Sequence, residues 1–174
     1  MKKLILLFLT LTLVSAFSGC GTVKNNASQN DADDVLADGF SFEITWGFDG
    51  CYNSKTGVLK NGYNDTLNTE CVTNLKLTDD ELREIYVLLE DVDFYELPEK
   101  ISENEVMQDP SYNLKITVNR KNETKTVVIY SPMKPLDEWS AYKDFGKAYF
   151  KIVNEYIKSS DEYKNLPPNT NLYD

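Results

Sequence analysis

The clearest pattern along the chain is a strict alternation of apolar and polar positions over residues 40–48, FSFEITWGF. Every even position in that stretch is large and apolar, and every odd position is polar or small. A period of two residues is typical of a strand with one face in the core and the other toward solvent. Asp49-Gly50 follows as a turn dipeptide, so this stretch predicts the first strand of a sheet.

Four further stretches predict strands that complete one sheet. Residues 51–59 predict a weaker second strand, and residues 71–77 predict a third. Residues 112–118 and 124–130 lie on either side of a polar turn, which predicts a hairpin. Because strands joined by short turns pair antiparallel, the sequence predicts an antiparallel sheet of four or five strands.

Two helices are predicted among these strands. Thr78-Asp79-Asp80-Glu81 has the capping-box sequence, and the apolar residues after it recur every three or four positions as far as Asp93. A second apolar stripe at helical spacing runs through residues 136–158. Their apolar faces need a partner, so we expect an α+β fold in which both helices cover one face of the sheet. The expected core consists of Phe42, Ile44, Trp46, Leu75, Leu77, Leu82, Ile85, Leu89, Leu114, Ile116, Phe145, Tyr149 and Ile152.

Residues 39–174 are therefore expected to form a single domain, and residues 20–38 differ from it in composition. The latter segment is rich in Asn, Ser, Asp, Ala and Gly and has no hydrophobic period, so it predicts a flexible tether. Near the other end, residues 162–168 predict an extension docked on the domain. A domain of about 135 residues is large enough for its own core.

Residues 1–19 have the organisation of a secretory signal peptide. Lys2 and Lys3 precede an almost wholly apolar run, and small residues lead up to Cys20. One alternative is an uncleaved membrane helix, but residues 4–17 are shorter than the roughly 20 apolar residues that a spanning helix needs. Another is an ordinary signal peptide, in which a lone cysteine directly after the cleavage region is uncommon.

Phe17-Ser18-Gly19-Cys20 resembles the lipobox of bacterial prolipoproteins, although leucine is commoner in that family where Phe17 stands. The resemblance implies that the signal peptide is removed and that Cys20 becomes the lipidated first residue of a membrane-anchored lipoprotein. Its acyl chains, such as palmitate, would fix the domain to the outer face of the cell membrane, and two chains give firm binding. The ending Tyr163-Lys164-Asn165-Leu166-Pro167 is similar to endings of uncharacterised lipoproteins of Gram-positive bacteria, which implies a shared α+β domain and no known activity.

The composition is strongly acidic. The chain has 18 Lys and Arg against 28 Asp and Glu, with no His, so its net charge is −10. Removal of residues 1–19 would take away two lysines and no acid, which leaves −12. A chain of this charge is not expected to bind nucleic acid or an anionic membrane surface, so the lipid must provide the tether. The acidity favours solubility, and it would also suit a basic partner.

Cys51 and Cys71 remain once Cys20 is assigned to the lipid. Export places them where a disulfide can persist, and a bridge would close a loop of about twenty residues and stabilise the fold by about 3 kcal/mol. The alternative is two free thiols used in metal or redox chemistry. Neither a histidine nor a Cys-x-x-Cys motif supports that use, so the sequence predicts a disulfide between Cys51 and Cys71.

The lack of histidine in the sequence excludes Ser-His-Asp and Cys-His catalysis and the usual catalytic zinc sites. The sequence also has no glycine-rich phosphate-binding motif, so no cofactor is expected. The acids within residues 90–109 could supply a carboxylate pair for glycoside hydrolysis, but such a run is typical of a solvated loop. We therefore expect a surface-tethered binding module and not an enzyme. The alternative is an acidic inhibitor or immunity-type protein for a cationic enzyme.

Overall fold

The computed structural model describes residues 34, 36–102, 113–130 and 141–170, and seven strands in this part of the chain form one mixed sheet. The strands are β1 (Ser41–Trp46), β2 (Gly50–Asn53), β3 (Val58–Asn64), β4 (Thr69–Asn74), β5 (Lys100–Ile101), β6 (Asn113–Arg120) and β7 (Glu123–Tyr130). The α-helices with defined bounds in the same part are α1 (Asp79–Asp91), α2 (Lys143–Lys151) and α3 (Asp161–Lys164), and Asp34, Leu36 and Ala37 are also helical. A 3₁₀ turn (Phe94–Glu96) follows α1, and a π-helical segment (Ile152–Ile157) continues α2.

β1 lies at the centre of the sheet, whose strand order is β4-β3-β2-β1-β6-β7-β5. The first four strands form an antiparallel meander, and β1 also pairs antiparallel with β6, with Ile44 opposite Ile116. β6 and β7 form the predicted hairpin, and β5 runs parallel to β7. The α+β class predicted from the sequence is confirmed. The prediction of four or five strands, all antiparallel, is wrong.

The additional strands occur where the sequence has no clear period. Residues 51–59, predicted as one strand, contain most of β2, a tight turn and the start of β3. In that turn the Asn53 side-chain oxygen accepts the N–H groups of Lys55 and Thr56 at 3.0 and 3.1 Å. Gly57 ends the turn with a φ of +76°, a conformation that suits glycine. β5 has two residues, which are too few to show an alternation.

α1 begins at the predicted capping box. The Glu81 N–H donates to Thr78 Oγ1 at 3.2 Å, and the Thr78 N–H donates to Glu81 Oε2 at 2.7 Å. These bonds satisfy backbone donors that the start of a helix leaves open. The second predicted helix, over residues 136–158, is confirmed from Lys143 onward, and residues 136–140 lie outside the described residues.

The core lies between one face of the sheet and the helices. β1 turns its even-numbered side chains inward, as the alternation predicted. All the predicted core residues are buried except Leu82, which is partly buried and packs against the core. The Tyr149 hydroxyl donates to the Thr45 carbonyl, so α2 is bonded directly to β1.

Tyr52 is fully buried in this core, and its hydroxyl donates to the Leu75 carbonyl at 3.2 Å. Burial raises the pKa of Tyr52 to about 12. A tyrosine in an unfolded chain has a pKa of about 10, so the unfolded state loses this proton first as the pH rises. The effect is absent below a pH of about 10, and it lowers the stability of the fold progressively from there to about 12.

We predict that Tyr52→Phe weakens this alkaline loss of stability. Near neutral pH the variant should lose about 1 kcal/mol, because the Leu75 carbonyl loses its buried hydrogen bond. The difference in unfolding free energy between the wild type and the variant should shrink at alkaline pH, because a phenylalanine has no proton to lose. Urea unfolding across the pH range measures the difference. Tyr130→Phe, at an exposed tyrosine, is the control and should keep the wild-type decline; a Tyr52→Phe disadvantage that stays constant with pH would contradict the prediction.

Candidate functional site

β4 forms one edge of the sheet within the described residues, because its strand neighbour there is β3 alone. The Leu75 N–H donates to the Gly57 carbonyl at 2.8 Å. Because the direction of the backbone groups alternates along a strand, this bond shows which residues of β4 point them toward β3. Thr73, two residues earlier, points its backbone groups toward β3 in the same way. The N–H and C=O groups of Val72 and Asn74 consequently point away from the sheet, where an added strand can bond them.

A cleft of about 350 Å³ lies between this edge and α3. Its walls come from β4, from α3 and from the residues after α3, namely Val72, Thr73, Asp161, Glu162, Asn165, Leu166 and Pro167. Asp161 and Glu162 are exposed, and no lysine or arginine is among the lining residues. Within the described part of the chain neither carboxylate forms an ion pair. The cleft therefore presents negative charge beside the strand edge.

Exposed apolar side chains lie near the same edge. Val58 and Val72 are each 43% exposed, and Leu67, in the turn between β3 and β4, is 61% exposed. The register places Val58 opposite Asn74 and Val72 opposite Lys60, so both valines stand on the outer face of the sheet, one diagonal step apart. Exposed apolar groups beside a strand edge are suited to contact with another chain. We call the Val72–Asn74 edge, the cleft and the two exposed valines the edge site.

The chain after α3 is held beside β3, and this fixes one wall of the cleft. The Asn64 side-chain amide donates to the Pro168 carbonyl at 2.6 Å. Gly62 leaves room for the contact, because a Cβ at that position would lie 2.2 Å from the Asn169 side chain. The docked extension predicted at residues 162–168 is confirmed.

α3 is anchored to the core through Tyr163. Ser160 caps the helix, with its Oγ accepting the Tyr163 N–H at 3.1 Å. The Trp46 and Tyr163 rings lie 6.3 Å apart, and the Lys158 ammonium lies within 5.8 and 5.9 Å of their centroids, which is cation–π range. These contacts place the two carboxylates of the cleft next to β4.

The polar side chains on the outer face of the central strands bond to one another. Lys115 Nζ lies 2.7 Å from Glu43 Oε1, and the Asn53 side chain donates to Glu43 Oε2 at 3.2 Å. The hydrogen bond from Lys115 holds the pKa of Glu43 below its usual range. Thr45 Oγ1 accepts the Lys115 backbone N–H at 2.8 Å. These contacts join β2, β1 and β6, so their role is structural.

Among the acids within residues 90–109, Glu90 has a structural partner. Arg120 Nη1 lies 2.5 Å from Glu90 Oε1, and the guanidinium lies 3.6 Å from the centre of the Tyr95 ring. Burial raises the pKa of Glu90, and the charge of Arg120 opposes that rise. The ion pair joins α1 to the β6–β7 hairpin, and residues 103–109 lie outside the described part. In that part no group of three or more side chains could hold a metal ion.

The structure does not contain the predicted disulfide, because Cys51 and Cys71 are free thiols. Cys51 lies on β2 and on the outer face, opposite Lys60, whereas Cys71 lies on β4 and is fully buried. β3 separates the two strands. Two strand spacings of about 4.8 Å put the Cα atoms about 10 Å apart, beyond the roughly 7 Å that a disulfide spans. Burial raises the pKa of both thiols.

The predicted lipidation residue Cys20 and the signal peptide over residues 1–19 lie outside the described residues. None of the helices in the described part is long and apolar enough to cross a membrane. Comparison of the chain with protein-family models, curated proteins and solved structures finds no match.

Sequence reasoning did not identify the edge site. Val58 and Val72 lie within predicted strands, and Asp161 lies between the predicted helix over residues 136–158 and the predicted extension over residues 162–168. One weak signal was available, because Ser160 followed by two acids is typical of a helix start. That signal predicts α3, but it does not predict that α3 lies against β4.

We predict that both thiols are free and differ in reactivity. A thiol reagent should label the partly exposed Cys51 faster than the buried Cys71, and slowly at neutral pH, because the thiolate is the reactive form. In urea the two should label at similar rates. Peptide mass spectrometry, with Cys51→Ser and Cys71→Ser to assign the signals, measures each site. A chain two hydrogens lighter, with neither cysteine labelled in urea, would show that the disulfide forms.

Proposed function

We propose that this protein is a membrane-anchored lipoprotein whose α+β domain is a surface-tethered binding module, with the edge site as its binding surface. The edge site is the observation that carries this proposal. It combines an open strand edge, exposed apolar side chains and a negatively charged cleft, within the described residues. Each of these features is typical of surfaces that bind segments of other proteins.

The lipobox-like sequence that ends in Cys20 supports an extracytoplasmic position at the outer face of the cell membrane. Leu36 packs against the core, so the flexible part of the predicted tether ends before it; a linker as long as residues 20–33 has a mean end-to-end distance of about 20 Å. That distance lifts the domain above the lipid headgroups and lets it rotate. The edge site would then be accessible to partners in the envelope.

A second candidate function is an acidic inhibitor or immunity-type protein that caps a cationic enzyme, such as a cell-wall hydrolase. The net charge of −12 of the mature chain and the exposed carboxylates of the cleft favour this candidate. Complementary charge speeds the association of such pairs and makes it sensitive to salt. The two candidates differ in one result: the partner of an inhibitor loses its enzymatic activity on binding.

We predict that the native protein begins at Cys20 and carries a diacylglyceryl group on that sulfur. Intact-mass and N-terminal peptide mass spectrometry of protein purified from membranes measure both features. In Cys20→Ser neither the lipid mass nor the cut before residue 20 should be observed, because the acylated atom is missing. Cys51→Ser is the matched control and should be processed as the wild type is. An N-terminus at Met1 would contradict the anchor.

We predict that the mature chain, solubilised in detergent, captures a discrete protein from its own cell envelope. Val58→Ser combined with Val72→Ser should weaken capture several-fold, since the apolar contact at the edge site is lost. Tyr130→Ser, at a similarly exposed side chain on β7, is the control. Quantitative mass spectrometry of the captured protein is the measurement. Recovery of no envelope protein, or equal recovery by the double variant, would contradict binding at the edge site.

A further inference from the structure

We propose that β4 binds its partner by strand addition: an extended cationic segment pairs with Val72–Asn74 and places a basic side chain in the cleft. This inference rests on the proposed binding function and defines the chemistry of the partner. Three features carry it, namely the direction of the backbone groups, the face on which the cleft opens and the charge of the chain.

The backbone of β4 is suited to an added strand in its second half. A bulge lies opposite Cys71, where Asn61 and Gly62 of β3 face one residue of β4. Val72–Asn74 lies beyond the bulge, where the pairing with β3 is regular. β4 contains neither proline nor lysine, which are residues that commonly block pairing at an edge. An incoming segment can therefore bond the outward N–H and C=O groups of Val72 and Asn74.

Side chains of an added strand would alternate between the two faces of the sheet. In the added strand, the residue directly opposite Thr73 would lie on the same face of the sheet as Thr73. Its side chain would enter the cleft, next to Asp161 and Glu162. The residues before and after it would point to the outer face, where Val58 and Val72 are exposed. The edge site therefore selects a basic residue with an apolar residue on each side.

A second copy of this chain would fit the edge poorly. Each mature chain carries a net charge of −12, and pairing of two β4 strands would bring the carboxylates of both clefts close together. Lys60 neutralises Glu70 at 2.7 Å and does not line the cleft. Like charges across an interface disfavour association, whereas a cationic segment is attracted by the same carboxylates. The negative charge of the chain therefore favours a positively charged partner at this edge.

The test uses the mature full-length chain in detergent and three blocked peptides of about ten residues, a length that covers the edge. One peptide alternates valine with lysine, one alternates valine with glutamate, and the third is the valine–lysine peptide N-methylated on every amide, so that neither of its edges can donate a backbone hydrogen bond. At low salt the first should bind about tenfold or more tightly than the others by calorimetry, a difference of about 1.4 kcal/mol. Equal binding of the N-methylated peptide would overturn strand addition, and equal binding of the glutamate peptide would overturn selection by charge.

Two pairs of variants locate the binding on the protein. Val72→Pro removes an N–H that points away from β3, so the sheet is retained and binding of the valine–lysine peptide is lost. Val72→Thr keeps the N–H and the β-branch, and it should bind within about threefold of the wild type. Asp161→Asn with Glu162→Gln should weaken binding about tenfold. Glu96→Gln with Glu99→Gln makes the same charge change at exposed acids outside the cleft and should have little effect.

Thermal unfolding checks that each variant is folded. If Val72→Pro destabilises the domain, the N-methylated peptide and the Asp161→Asn, Glu162→Gln pair still decide the question. A folded Val72→Pro chain that captures its envelope protein unchanged would overturn strand addition and leave the binding function intact. A chain that binds the valine–lysine peptide as expected and captures no envelope protein would support the edge chemistry and count against the proposed function.

Discussion

The pairing of β1 with β6 is the constraint on which the rest of this structure depends. It joins a local meander to a distant hairpin, and the bonded residues Thr45 and Lys115 are 70 positions apart in sequence. Such a contact requires a long loop to be ordered first, which costs conformational entropy. The Thr45 carbonyl also accepts the Tyr149 hydroxyl, so α2 is positioned by the same residue. Without this pairing the chain would have two small sheets, each too narrow to cover the helices.

The features that the sequence predicted correctly are those decided by near neighbours in the chain. The alternation in β1 and the capping box at Thr78 depend on residues a few positions apart. The turn after Asn53 is equally local, but its signal is a side-chain acceptor followed four residues later by Gly57, without the usual turn dipeptide. β5 is different, because two residues show no pattern and their parallel pairing with β7 is a tertiary contact.

The edge site and the cysteine arrangement depend on strand order, which an alternating pattern does not contain. A period of two residues shows which side chains share a face, but not which strand lies alongside. Cys51 and Cys71 are at a suitable separation for a bridged loop, yet β3 lies between them and they face opposite sides of the sheet. In the same way, the cleft beside Val72 exists only because α3 and the residues after it pack against β4.

The contact between Asn64 and Pro168 joins residues that are synthesised far apart in time. Asn64 is 3% exposed, and its side-chain amide donates to a carbonyl 104 positions later in the sequence. A chain that emerges N-terminus first, from a ribosome or a membrane pore, presents β3 long before residue 168. During that interval the amide must stay bonded to water, so the corner of the sheet next to β4 stays unfinished. Completion of this corner therefore waits for the synthesis of residue 168, which comes after that of the meander and of the β6–β7 hairpin.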